Sequence, residues 1–215
     1  MIRLIILIYV GLLSGCATFS AGDLESLDYH NINTSEDKDK LFFNIEYIEP
    51  EQEERYANGG NEELNAPTEE AAEKAKVTLK TSIEEEMKSV FIASQLFSEI
   101  SNSSKKQGIY FDIKFKHGVV DPDDAGTTGA LFGFGLTLIP VFMTTDPNVM
   151  TINVYEGEEL LKTYEYTERQ RIWFHFGLLF VVPFRDFDQG LRNIVNIMAS
   201  NFINDFNKDR VALSY

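Results

Sequence analysis

The chain carries one cysteine, Cys16, and three histidines, His30, His117 and His175. Nucleophilic or metal chemistry would be built from these side chains. A single thiol excludes an intrachain disulfide and a cysteine-ligated cluster. The histidines show no ligand spacing with one another or with a cysteine, so no metal site is expected. His175 stands in an apolar stretch and reads as a core or interface histidine. Asp121-Pro122-Asp123-Asp124-Ala125-Gly126 looks like the start of a calcium loop. An EF-hand loop needs an acidic ligand at its fifth position and a glutamate at its twelfth; Ala125 and Phe132 stand there instead, and a turn with capping aspartates is the simpler reading. The glycines at 126, 129, 133 and 135 are not followed by Lys-Ser/Thr, so there is no P-loop. No Gly-x-Ser-x-Gly elbow occurs. No catalytic residue and no cofactor is nominated, and the chain is not expected to be an enzyme.

The surroundings of Cys16 give it a use. Arg3 is a short positive region, residues 4–13 are apolar, and Ser14-Gly15 are the small residues that a peptidase needs. A transmembrane helix needs about 20 apolar residues to cross ~30 Å of hydrocarbon; the ten here are too few. Leu13-Ser14-Gly15-Cys16 resembles the lipobox of bacterial lipoproteins. The resemblance implies a signal peptide over residues 1–15, cleavage between Gly15 and Cys16, a diacylglycerol on the Cys16 sulfur, and a further acyl chain such as palmitate on the new amino terminus. An ordinary secretory signal with a free cysteine is the alternative; an odd exported thiol is reactive, and a thioether removes that liability. Each buried CH₂ contributes ~0.8 kcal/mol, so several chains hold without help from protein charge. The charge gives none: it is −15, and −16 once Arg3 leaves with the signal. Such a surface repels anionic lipid, and no nucleic acid partner is expected. Ala17 stands where an aspartate tends to mark inner-membrane retention, so the resemblance implies the outer membrane, facing the periplasm. The inner membrane and the cell surface remain alternatives.

These features must be carried by a fold. Residues 16–40 are small and polar and read as the lipidated N-terminus and a flexible tether. Residues 41–215 read as one periplasmic domain, long enough to bury a sizeable core. Leu41, Phe43, Ile45 and Tyr47 alternate as one strand face. Residues 49–67 are acidic and turn-rich, a solvated loop. Thr68 suits a helix N-cap with Glu69 and Glu70 in the first turn. Leu79, Ile83, Met87, Val90 and Phe97 then form one stripe of a long helix ending between Ser94 and Ile100. Residues 101–108 read as a turn. Ile109, Phe111, Ile113 and Phe115 face one way and Tyr110, Asp112, Lys114 and Lys116 the other. Residues 149–155 and 160–166 read as a hairpin. Leu191, Val195, Met198, Phe202 and Phe206 mark a C-terminal amphipathic helix. The fold class is α+β: a mostly antiparallel sheet with a long helix and a C-terminal helix packed on one face.

Two segments, 129–142 and 173–184, share Phe-Gly-Leu followed by an apolar run and a proline: Phe134-Gly135-Leu136 to Pro140, and Phe176-Gly177-Leu178 to Pro183. Each is too short to span a bilayer. One reading makes them central strands. The other makes Phe134, Leu136, Trp173, Phe174 and Phe176 an exposed surface for a membrane or a protein partner. The order of elements, with Thr137-Leu138-Ile139-Pro140 before a strand, resembles a loose group of uncharacterised envelope lipoproteins with a TLGLIP-like run, whose internal glycine is missing here. That resemblance implies an envelope location and no known reaction. The expectation is therefore a non-catalytic, lipid-anchored envelope protein that binds or supports another envelope component. An auxiliary subunit of an envelope transporter or secretion pore is the alternative. An envelope hydrolase is the third class.

Overall fold

The structure is a computed structural model that describes residues 17–20, 22–29, 32, 38–48, 69–103, 108–118, 141–174 and 187–213. Eight strands and two helices follow in order: β1 (Ala17–Ser20), β2 (Lys40–Ile48), α1 (Glu69–Ser94), β3 (Glu99–Asn102), β4 (Ile109–Lys116), β5 (Val141–Thr144), β6 (Asn148–Glu156), β7 (Glu159–Glu168), β8 (Gln170–Phe174) and α2 (Phe187–Leu213). They make a five-stranded sheet, order β3-β2-β4-β6-β7, and a three-stranded sheet, order β1-β8-β5.

The large sheet puts every second side chain on the helix-covered face, as the pleat requires. One register row runs Ile45, Ile113, Ile152, Tyr164; the next runs Phe43, Phe111, Val154. Both helices lie on this face. α1 buries Ile83, Met87, Val90 and Phe91, and α2 buries Leu191, Ile194, Val195, Met198, Phe202 and Phe206. Phe111 is the meeting point: its ring lies 4.9 Å from Phe202, 5.3 Å from Phe206 and 5.7 Å from both Phe91 and Phe97. All four contacts are edge-on, a favoured geometry for aromatic pairs, adding ~0.5–1.5 kcal/mol each beyond area burial. The opposite face is polar, with Lys114 paired to Glu46 at 3.6 Å and Thr163 donating to Asn153 at 2.8 Å.

Four expectations need correction. The large sheet is mixed, because β2 pairs in parallel with both β3 and β4, while the β4–β6 and β6–β7 pairs are antiparallel. Alternation along a strand is the same in either orientation; the crossover through α1 makes β2 and β3 parallel. Part of the expected turn after the helix is strand β3, whose sequence Glu-Ile-Ser-Asn has no apolar alternation and which is held by pairing with β2. Phe97 is not on the helix: Gln95 takes φ +57°, the left-handed residue that ends a helix, and Phe97 reaches the core from the connection. Finally, the expected tether is packed against the domain at its described residues. β1 is paired to β8, and Leu24, Tyr29 and Ile32 lie against the core. Asn201 of α2 donates to the Glu25 carbonyl at 2.9 Å, and Asn196 to the Tyr29 hydroxyl at 3.4 Å and to Glu86 at 2.7 Å. Polar side chains of α2 thus hold a segment whose own composition looked soluble.

Candidate functional site

The small sheet is built on an extended hairpin. β6 and β7 turn through two residues, with Gly157 at φ +61° in the position where a tight hairpin needs positive φ. At their other ends the two strands continue past a joint, β7 through Arg169 into β8 and β6 back through residues 145–147 into β5. The ribbon therefore leaves the large sheet and pairs again as β5 with β8, and β1 adds to the free side of β8.

The joint is lined with buried polar groups: Thr145, Asn148, Glu168 and Gln170. Each has backbone to satisfy where the ladder bends. The Thr145 amide donates to the Gln170 carbonyl at 2.9 Å, and the Gln170 amide donates to the Thr145 hydroxyl at 3.0 Å. Asn148 spans three segments. Its Nδ2 donates to the Glu168 carbonyl at 3.1 Å, and its Oδ1 accepts the Gly118 amide at 3.0 Å and faces His117 Nδ1 at 2.8 Å. An amide oxygen can only accept, so Nδ1 of His117 carries the proton in this arrangement. The Gly22 amide donates to Glu168 Oε1 at 2.6 Å, tying the residues after β1 to the end of β7. The joint uses its polar groups to hold backbone.

Beyond the joint, the register of the small sheet sets the geometry of the sequence-nominated residues. Trp173 pairs with Ala17 on one side and Phe142 on the other, and Phe174 pairs with Val141. Strands neighbouring β8 on either side stand ~10 Å apart, two inter-strand spacings. Because both pairings are antiparallel, the start of β1, the start of β5 and the end of β8 lie at one end of the sheet. Cys16 precedes Ala17 by one peptide bond; the uncharged run 129–140 precedes Val141, and the run 175–184 follows Phe174. The sheet thus brings together three chain positions that are far apart in sequence. Gly15, Cys16, Phe134, Leu136 and Phe176 themselves lie outside the described residues, as do His30, His175 and residues 121–126. Trp173 and Phe174 belong to the middle strand of the small sheet, and Val141 and Phe142 to its edge strand β5; the main sheet contains none of them. The convergence had a faint signal in the sequence: the two Phe-Gly-Leu runs flank the hairpin symmetrically, one before β5 and one after β8.

A second titratable cluster joins edge strand β7 to α2. The Tyr164 hydroxyl donates to Asp209 Oδ2 at 2.5 Å, and Lys162 Nζ donates to the same oxygen at 2.6 Å. The Tyr166 hydroxyl donates to Asp205 Oδ2 at 3.1 Å, while Lys208 Nζ reaches Asp205 Oδ1 at 3.1 Å. Burial, then the neighbouring aspartates, push both phenols well above the ordinary tyrosine range. Hydrogen bonds from Lys162 and Tyr164 hold Asp209 below the usual carboxylate range. Phenols kept protonated and an Asp209 carboxylate kept ionised form a clasp between strand and helix, not an acid–base pair tuned near neutrality. Sequence reading missed this clasp because Tyr164 and Asp209 are 45 residues apart.

Among the described residues no group of three or more His, Cys, Asp or Glu is placed to hold a metal ion, and no helix is long and apolar enough to cross a membrane. A shallow depression of about 230 Å³ is lined by Lys88, Ile92, Phe97, Ser98, Glu99 and Ile100, below the ~300–1,000 Å³ typical of small-molecule sites. Comparison with protein-family models gives no match, and neither does comparison with curated proteins.

Proposed function

We propose that the chain is a lipid-anchored envelope protein of a bacterium, non-catalytic, holding its acidic α+β domain on the periplasmic side of the outer membrane to bind or support another envelope component. The observation that carries this reading is the junction at Cys16. The lipobox-like Leu13-Ser14-Gly15-Cys16 ends where strand β1 begins, at Ala17. Cleavage before Cys16 would leave β1 and its pairing to β8 whole, and would place the acylated residue directly against folded structure. The placement of the titratable groups supports a binding role. Tyr164, Tyr166, Asp205 and Asp209 are committed to a clasp, and Asn148 and Glu168 to a joint. A second reading, an auxiliary subunit of an envelope transporter or secretion pore, draws on Val141 and Phe174 lying at one end of the small sheet, each next in sequence to one of the two apolar runs.

The test is incorporation of labelled fatty acid by the protein and by its Cys16→Ser variant. Label in the wild type alone, with the variant unprocessed or released from membranes, is the expected result. Equal labelling of the two would sink the lipoprotein reading.

A further inference from the structure

We propose that the end of the three-stranded sheet marked by Ala17, Val141 and Phe174 rests on the bilayer surface, so that the domain is held in one orientation against its membrane instead of hanging from a leash. The inference rests on the lipid anchor proposed above and adds what the fold does with it. Three observations point to that end.

The first is covalent. Consecutive Cα atoms are ~3.8 Å apart, and Ala17 is already hydrogen-bonded structure paired with Trp173. A tether of two dozen flexible residues would let a domain wander over ~25–30 Å. Here the anchor-bearing residue and the first residue of β1 are adjacent, and the chain after β1 is pinned by the Gly22–Glu168 and Asn201–Glu25 hydrogen bonds. The polar layer of a bilayer is only ~5–8 Å thick on each side, so acylation at Cys16 puts the Ala17 end of the sheet within or against it.

The second is topological. The same register that fixes Ala17 puts Val141 and Phe174 at that end. The chain leaves both positions into stretches with no Asp, Glu, Lys or Arg, residues 129–140 and 175–184.

The third is charge. The chain as a whole carries −15 and holds 34 acidic residues. Strands β1, β5 and β8, with sequences ATFS, VFMT and QRIWF, contain no acidic residue, and their one charge is the cation Arg171. A protein this acidic is repelled by its own membrane over most of its surface. The acid-free sheet is the part of the chain that a phospholipid headgroup layer would tolerate, and tryptophan, the residue at 173, is favoured at the headgroup level. The occupant is therefore the phospholipid surface itself.

Trp173 is the only tryptophan and reports on this end directly. The full-length acylated protein is reconstituted into zwitterionic phosphatidylcholine vesicles, with and without phosphatidylcholine brominated near the headgroup end of its chains. Flotation with the vesicles is measured first and Trp emission second. A Trp173→Phe/Leu160→Trp protein moves the reporter to β7 beside the hairpin turn, where Leu160 is half exposed, at the opposite end of the ribbon. The expected result is that the native protein floats and loses most of its emission to brominated lipid, while the relocated tryptophan floats and keeps its emission. A protein that floats with Trp173 unquenched overturns the orientation and leaves the anchor standing. Equal quenching of both reporters overturns it too, since the domain would then lie on the membrane without a preferred end. A protein that does not float overturns the anchor, and the orientation with it.

Discussion

Replacing Phe111 by alanine should be the most damaging single truncation in the main core. Its side chain is fully buried, and its ring meets Phe91 of α1, Phe97 of the connection, and Phe202 and Phe206 of α2. Truncation therefore removes a β4 ring that meets both helices. A buried Phe→Ala change costs ~3–5 kcal/mol through lost transfer energy and the cavity left behind. Four aromatic partners, each adding ~0.5–1.5 kcal/mol, place this site toward the upper end. A domain of this size has a total stability of ~5–15 kcal/mol, so a third or more is at stake. With a urea m-value of ~2–3 kcal/mol/M, the unfolding midpoint should fall by ~1.5–2 M with the slope unchanged. Ile92→Ala serves as the control: it lies on the same helix as Phe91 but is 57% exposed, and should stay within ~0.5 kcal/mol. A Phe111→Ala midpoint within ~0.5 M of the wild type, with an unchanged m-value, would refute the argument that these rings form the load shared by sheet and helices.

Gly118→Ala would place a methyl 1.9 Å from the Asp146 carbonyl oxygen; the β5–β6 joint must give way, at a cost of ~1–3 kcal/mol, and hydrogen exchange should accelerate in β5 and β8 more than in β2. The Tyr164 phenol is held protonated in the fold, so its contribution is present below the ordinary tyrosine pKa of 10.0 and is lost as pH rises above it; between pH 8 and pH 11 the wild type should lose more stability than Tyr164→Phe, and parallel pH profiles would remove the clasp from the account. Asp209 is held below its ordinary 3.8, so its contribution is present at neutral pH and is lost as pH falls through and below that value; Asp209→Asn should flatten the acid limb of the same titration.

Much of the main sheet was legible along the chain. Leu41, Phe43 and Ile45, and then Phe111, Ile113 and Phe115, alternate because a pleated strand has a period of two, and that period needs no knowledge of a partner. The stripe from Ile83 to Val90 was legible for the same kind of reason, at the helical period. Phe97 fits that period by coincidence, since only the backbone at Gln95 decides that the helix has already ended. Strand β3 was hidden because its four residues carry no pattern and its place is set by β2. The mixed character of the sheet was hidden because direction leaves no mark on alternation; the strand–helix–strand order was its one visible sign.

For the candidate site the division is sharper. The sequence by itself carried the lipobox resemblance at the N-terminus, because Leu13-Ser14-Gly15-Cys16 is a contiguous pattern whose meaning depends on neighbours a few bonds away. It also determined that two uncharged Phe-Gly-Leu runs exist. Only the tertiary structure decided that Ala17, Val141 and Phe174, the described residues next to Cys16 and to the two runs, lie at one end of a sheet. Ala17 pairs with Trp173 and Val141 with Phe174, contacts across 156 and 33 residues that backbone hydrogen bonds set in register. Backbone pairing is nearly blind to side-chain identity, so no local pattern in ATFS or VFMT announces its partner; the alignment of Ala17, Val141 and Phe174 at one end of a sheet emerges only when the ribbon bends at Asn148 and Glu168 and β1 closes against it.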